Sequence, residues 1–203
     1  MQLWYAPTSP FARKVRVAAL ELGLPLELVE VDPWTDERLR RLNPLSKVPT
    51  LVADNGAVLY ESGVICQYLE ALAGIHQLFP SGDRQWQVLL LQGLCDGLST
   101  SAGRLFADER REKAGQPQPM IQRFHEALRV GLDHLEGHVA TLAIDDPTIG
   151  EIAAAVTLGY LDFRWPDRNW RTSRPNLSVW FDAFAMRPSM IETRHHLIGQ
   201  PLR

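Results

Sequence analysis

Hydrophobic residues in the first third of the chain alternate between short apolar runs and helical spacing. The runs at 2–6, 26–31, 49–53 and 57–60 predict four β-strands, because each is short and bounded by turn-forming or polar residues. Helical spacing between them predicts one helix ending near Leu22, a short basic helix over 36–42 and a third helix beginning at Glu61. Asn55-Gly56 predicts a tight hairpin between the last two strands, since this pair suits positive φ angles. The order predicts an α/β unit with a mixed four-stranded sheet.

The rest of the chain has only helical spacing of its apolar residues. Four further helices are predicted around 89–98, 124–139, 152–163 and 177–184. A stretch at 77–86 that contains Pro80 and Gly82 predicts a linker. We therefore expect two packed domains, an α/β domain over 1–76 and an all-helical bundle over 87–203.

Composition excludes several classes of protein. Of the 203 residues, 45% are hydrophobic and 22% are charged, which is typical of a globular protein. The net charge of -3 gives no electrostatic reason to expect a nucleic-acid or membrane partner. Two cysteines make no disulfide framework, the N-terminus lacks the charge order of a signal peptide, and no apolar run could span a membrane. A cytoplasmic protein is expected.

The segment Thr8-Ser9-Pro10-Phe11 lies where the first strand meets the first helix. Ser is a favoured N-cap and Pro is favoured at the first helical position, so one interpretation is helix capping. A hydroxyl at a helix N-terminus also lies among free backbone N–H groups and the positive end of the helix dipole. That environment favours a bound thiolate.

Two further segments allow both a structural and a binding interpretation. Pro49 within an apolar run indicates an edge strand or a turn, but a cis Val48-Pro49 bond would present the Val48 backbone to an extended peptide. Glu61-Ser62 at the start of the third helix suits capping and the helix dipole. The same pair could hold an amino-acid head group, with Ser62 on the carboxylate and Glu61 on the ammonium.

Together, in this order, these segments resemble the glutathione transferase superfamily, in particular its small bacterial members of the serine type. The resemblance is carried by Ser9-Pro10-Phe11, by 43–49 (Asn-Pro-Leu-Ser-Lys-Val-Pro) and by Glu61-Ser62. In the second half, Thr148 to Glu151 resembles the family's capping box at the start of a buried helix. The resemblance implies a thioredoxin-like N-terminal domain that binds glutathione and a helical C-terminal domain that shapes a second substrate pocket.

The resemblance also implies roles for individual residues. Ser9 would donate a hydrogen bond to the glutathione sulfur, and Val48 would pair with the cysteinyl backbone of glutathione. Glu61 and Ser62 would hold its γ-glutamyl end, and Lys47 would touch the peptide.

Some of these roles have alternatives. Asp96 would reach the glutathione of the partner subunit in a homodimer, although a solvated or interface carboxylate is the other interpretation. Thr8 is an adjacent hydroxyl that could replace Ser9. Because Ser9 stands where thiol-transferring relatives carry cysteine, a protein thiolate nucleophile is not expected.

The function expected from the resemblance is a glutathione transferase active in detoxification. Glutathione is the co-substrate, no metal is required, and the thiolate attacks a small electrophile. The electrophile should bind between the loop at 6–8 and the first long helix, near Arg104 and Phe106. Conjugation, isomerisation and peroxide reduction all stay open. The alternative is a non-catalytic protein of this fold that acts as an interaction or regulatory scaffold.

Several other residues invite a chemical role that we do not assign to them. Cys66 and Cys95 are expected to be small core residues. His134 and His138 are expected on a solvated helix face, because no third metal ligand accompanies them. The basic and aromatic segment 164–171 is expected to form cation–π contacts in a loop. His195 and His196 are expected in a polar tail that ends at Pro201.

Overall fold

A computed structural model describes residues 1–199, and its first half contains the predicted mixed sheet. The elements are β1 (Gln2–Tyr5), α1 (Pro10–Glu21), β2 (Glu27–Glu30), α2 (Glu37–Leu42), β3 (Thr50–Val52), β4 (Val58–Tyr60) and α3 (Ser62–Ala73). The strand order is β2-β1-β3-β4, in which β1 and β2 are parallel and the other neighbours are antiparallel. The predicted order of elements in this half is confirmed.

The second half is helical, as predicted. Its helices are α4 (Asp83–Glu109), α5 (Gln118–His138), α6 (Ile149–Arg164), α7 (Pro175–Phe184) and α8 (Pro188–Glu192). The helix α8 was not predicted, because five residues are too few to display helical spacing. Helix α4 begins inside the predicted linker at 77–86. The predicted domain limits, 1–76 and 87–203, stay a prediction. Residues 200–203 lie outside the described part of the chain. None of the helices within 1–199 is long and apolar enough to cross a membrane.

Helix α6 forms the centre of the helical half. The capping box is confirmed: Thr148 accepts the Gly150 amide at 3.2 Å, and Glu151 accepts the Thr148 amide at 2.9 Å. Every residue from Ile149 to Leu158 is buried, and the helix packs against both α4 and α1. Because α1 lies against α6 as well as α3, the two halves share one hydrophobic core.

Basic residues of α1 bind the backbone of the C-terminal segment. Arg13 donates to the Met190 carbonyl at 3.0 Å, and Arg16 donates to the Glu192 carbonyl at 3.3 Å. Both guanidinium groups are buried, and burial lowers the pKa of Arg13 to about 10, still well above neutrality. The segment that contains α8 is therefore held against α1.

Candidate active site

A cleft of about 960 Å³ lies between the two halves of the protein. The first half contributes residues from the β1–α1 loop, from 45–49 and from 61–64, and the second half contributes residues from α4 and α6. All six residues singled out from the sequence line it: Ser9, Lys47, Val48, Glu61, Ser62 and Asp96. The fold thus brings together groups that are up to 87 positions apart in sequence (from 9 to 96).

Ser9 lines the cleft at the N-terminus of α1. Its Oγ accepts the Ala12 amide at 3.2 Å, and Pro10 occupies the first helical position, so the capping interpretation is confirmed. A serine hydroxyl has two lone pairs and one O–H donor. Capping occupies one lone pair, which leaves the O–H of Ser9 available to an anion in the cleft. Thr8 lines the same wall and stays the alternative hydroxyl.

The Val48-Pro49 peptide bond is cis, as predicted. The loop before it is held by Asn43, which is fully buried and donates from Nδ2 to the Lys47 carbonyl and to Thr50 Oγ1, each at 3.0 Å. Thr50 Oγ1 also donates to the Lys47 carbonyl at 2.9 Å. Asn43 was recognised only as part of the family motif, and its position shows that it orients the loop carrying Val48.

The start of α3 has the features of an amino-acid head-group site. Glu61 is the N-cap with φ of 70° and ψ of 117°, a conformation that costs a non-glycine residue about 1–3 kcal/mol. No side chain of the described residues caps this helix, so the backbone N–H groups of its first turn are left without a side-chain acceptor at the end that lines the cleft. Ser62 is buried at the first helical position, and Glu61 is exposed. The amides and Ser62 offer donors to a carboxylate, while Glu61 offers an acceptor to an ammonium.

Asp96 is bound to a buried lysine of its own chain. Lys14 Nζ lies 2.7 Å from each of the two carboxylate oxygens, and the Lys14 side chain is 0% exposed while that of Asp96 is 32% exposed. The pair joins α1 to α4 beneath the cleft. The exposed part of Asp96 lines the cleft. It can still accept a hydrogen bond there, because a carboxylate has lone pairs beyond the two that Lys14 occupies.

The far end of the cleft has a wall of four residues, which we call the arginine wall: Gly103, Arg104, Tyr160 and Arg164. Arg104 lies in the cleft as expected, whereas Phe106 lines a neighbouring pocket of about 490 Å³, which shares Arg164 with the cleft. Sequence reasoning missed Tyr160 and Arg164 as cleft residues. Their spacing of four positions at the end of α6 was the available signal, since such residues share a helix face.

His195 does not lie in a polar tail, and that prediction is wrong. Its ring packs against Phe163 and Tyr160 at centroid distances of 5.2 and 5.6 Å. Nδ1 donates to the Pro7 carbonyl at 3.0 Å, since a carbonyl can only accept. Burial, together with the charge of Arg13, lowers the pKa of His195 well below 6.5. The neutral imidazole of His195 therefore supports the loop that precedes Ser9. The predicted end of the polar tail, position 201, lies outside the described residues.

The other residues without an assigned role behave as expected. Cys66 and Cys95 are buried, and burial raises the pKa of the Cys66 thiol to about 12. His134 and His138 stack on an exposed face of α5, and residues 1–199 contain no group of His, Cys, Asp or Glu able to hold a metal ion. The expected cation–π contacts are present, for example Arg168 over Trp165 at 5.1 Å.

Comparison with known proteins gives the same class as the fold and the cleft. The family model "Glutathione S-transferase, N-terminal domain" matches residues 3–77, and "Glutathione S-transferase, C-terminal domain" matches residues 118–183. The chain is 30% identical to the uncharacterized GST-like protein YibF of Escherichia coli K12, over 95% of this chain and 98% of that protein.

Solved structures match over nearly the whole chain. A glutathione S-transferase from Methylobacillus flagellatus KT with GSH bound has a TM-score of 0.90 and 29% identity, covering 96% of this chain and 99% of that one. A glutathione transferase family member from Pseudomonas fluorescens Pf-5 with bound glutathione has a TM-score of 0.89 and 35% identity, covering 97% and 99%. A structure of a Pf-5 family member with bound S-(propanoic acid)-glutathione has a TM-score of 0.84 and 34% identity, covering 97% and 100%.

The sheet, the helical half and the cleft between them define a two-part protein with a thioredoxin-like first half. The chain belongs to the glutathione S-transferase family.

Proposed function

We propose that the protein is a glutathione transferase that activates the glutathione thiol for attack on a small electrophile. The observation that carries the proposal is Ser9, whose oxygen caps α1 while its O–H, on the wall of the cleft, has no acceptor among residues 1–199. A thiolate beside this O–H would also lie at the positive end of α1, and both effects lower the thiol pKa. The nucleophile belongs to the ligand, so no protein side chain becomes covalently modified.

Glutathione would extend along the first half of the cleft. Its γ-glutamyl carboxylate would accept hydrogen bonds at the start of α3, and its ammonium would lie near Glu61. The Val48 backbone would pair with the cysteinyl residue, with Lys47 nearby, and the thiol would then reach Ser9. In a homodimer, Asp96 would contribute its exposed oxygen surface to the γ-glutamyl end of the glutathione bound by the partner subunit. The Methylobacillus and Pseudomonas relatives with bound glutathione support this ligand.

Replacing Ser9 by Ala tests the catalytic role of its hydroxyl. Loss of the cap should cost about 0.5–2 kcal/mol of stability. The pKa of the bound thiol should also rise, at about 1.36 kcal/mol per unit between its two protonation states. Ultraviolet titration of the thiolate and the pH–rate profile measure that shift. Glutathione affinity, measured by calorimetry, should change little.

Two control variants separate capping from catalysis. Asp36→Ala removes the N-cap of α2, which does not line the cleft, so it should lower stability and leave the thiol titration unchanged. Thr8→Val tests the neighbouring hydroxyl. An unchanged titration in Ser9→Ala would exclude Ser9 as the activating group. If the wild type binds no glutathione even at millimolar concentration, the scaffold alternative replaces the transferase.

We also propose that the protein is a cytoplasmic homodimer. Trp86 and Leu90, one turn apart on α4, are 65% and 73% exposed, and Val64 and Leu72 of α3 are each 53% exposed. Large apolar side chains exposed on adjacent turns are typical of a surface that another chain covers. Light scattering should give twice the monomer mass of 22.9 kDa, and Leu90→Lys should reduce it to one monomer mass.

A further inference from the structure

We propose that the second substrate carries a carboxylate, which the arginine wall binds through Arg104 and Arg164. This inference rests on the proposed transferase function and adds a substrate class to it. Within residues 1–199, neither guanidinium has a carboxylate partner, although most other arginines of the helical half form ion pairs. The two cations line the same end of the cleft.

Arg164 is held in place by aromatic rings, and no residue between 1 and 199 accepts a hydrogen bond from it. Its guanidinium carbon lies 4.2, 4.9 and 5.1 Å from the ring centroids of Phe106, Phe163 and Tyr160. Its Nε is enclosed and has no hydrogen-bond partner in the described part of the chain. Aromatic faces attract a cation but leave the N–H donors in its plane unused. A planar carboxylate matches two of those donors at once.

Gly103 faces the Tyr160 hydroxyl on the wall of the cleft. A Cβ atom at Gly103 would lie 3.7 Å from the Tyr160 hydroxyl, so this hydroxyl reaches α4 next to Arg104. A carboxylate entering here would find two cations and an O–H donor. Arg104 is exposed and can move to meet it, whereas Arg164 is fixed by its ring contacts.

The charges of the cleft separate this end from the glutathione site. Asp96 and Arg104 line the cleft from one face of α4. They are eight positions apart, and a helix rises about 1.5 Å per residue, so they lie about 12 Å apart along the helix axis. Gly63, which follows Ser62, faces the Gln92 side chain. Gln92 lies one turn before Asp96 on α4. The carboxylates of Glu61 and Asp96 therefore lie at the same end of the cleft, where glutathione is proposed to bind. An anionic electrophile is therefore attracted to the arginine wall rather than to the glutathione site.

An enone is a suitable reacting group for the test. The glutathione sulfur forms a bond with the β-carbon, the C=C π electrons move to the enolate oxygen, and a proton from water completes the ketone. No oxidant, reductant or leaving group is required. Two enones with the same reacting carbon, para-acryloylphenoxyacetate and its primary amide, differ only in the remote charge. Uncatalysed rates with glutathione provide the reference for each.

The wild type should favour the acid over the amide at least tenfold in kcat/KM, after division by the uncatalysed rates. Arg164→Gln and Arg104→Gln should each raise KM for the acid several-fold and change KM for the amide much less. Arg110→Gln is the matched control, because Arg110 stacks on Phe106 at 5.1 Å and does not line the cleft. Equal turnover of acid and amide by the wild type would overturn the carboxylate inference and leave the transferase function standing.

Binding of the products separates the two proposals. Calorimetry on the wild type with the two preformed glutathione conjugates should show tighter binding of the acid conjugate, and equal affinities would overturn the inference. Absence of turnover with both enones would exclude enones as the reacting group, while the conjugates still report on the arginine wall. Absence of glutathione binding is the separate outcome that would remove the transferase function. Should Arg164→Gln fail to fold, Arg164→Lys keeps the charge without the planar fork and should lose part of the preference for the acid.

Discussion

Replacing Asp96 by Ala would leave the Lys14 ammonium without its partner inside the protein. Both carboxylate oxygens lie 2.7 Å from Lys14 Nζ, and the lysine side chain is fully enclosed between α1 and α4. Removing one partner of a buried pair costs about 3–5 kcal/mol, because the other charge stays buried without compensation. The value here should lie near the lower end, since Asp96 is 32% exposed and water can replace part of it.

The reverse substitution should be milder. Lys14→Met keeps the volume of the side chain and leaves a carboxylate that faces water in part, so a cost of about 1–2 kcal/mol is expected. The double variant contains no unpaired charge and should be more stable than Asp96→Ala alone. Glutathione affinity should not recover in the double variant if the exposed side of Asp96 binds the ligand.

Urea unfolding of the four proteins, at equal m-values, gives the required free energies of unfolding. Asp182→Ala serves as the matched control, because its carboxylate pairs with Arg171 at 2.7 Å but is 65% exposed, and the expected change is about 0–1 kcal/mol. A double variant as unstable as Asp96→Ala would refute the argument that an uncompensated ammonium causes the loss.

Two further predictions concern buried titratable groups. Cys66 and Cys95 should not react with a disulfide reagent in the folded protein and should react in urea, because burial raises the pKa of both thiols; fast native labelling would contradict this. The neutral form of His195 contributes stability that is complete above pH 6.5 and is lost as the pH falls toward its lowered pKa. His195→Asn should therefore lose less stability than the wild type between about pH 8 and about pH 5, and equal losses would contradict the assignment.

Local signals account for the parts of the fold that could be predicted from the sequence. Ser9-Pro10 and the capping box at Thr148 mark helix starts through contacts within a few residues. Apolar spacing identified α1 and α3 to α7, since each has one or more faces against the core. The candidate site could be predicted because its residues belong to short motifs, each of which begins or ends one of these elements.

The residues that could not be predicted depend on contacts between distant segments. Lys14 has the pattern of a surface lysine on an amphipathic helix, and only its partner 82 positions away makes burial tolerable. His195 follows a helix too short to show spacing, and its role depends on the chain returning to Pro7 across 188 positions. Arg164 has an unremarkable place at the end of a helix, where a basic residue suits the helix dipole.

The attachment of α1 to both halves restricts how such proteins can recombine. The carbonyls that accept from Arg13 and Arg16 are main-chain groups that any sequence provides as long as the C-terminal segment follows the same path. Arg13 also donates from Nε to the Thr193 hydroxyl at 3.3 Å, so this contact depends on a hydroxyl at position 193. The acceptor for Lys14 is a side chain and must be encoded at position 96. A chimera that joins this first half to the helical half of a relative therefore tolerates new residues around 190–192 but requires an acid on the facing turn of the first long helix.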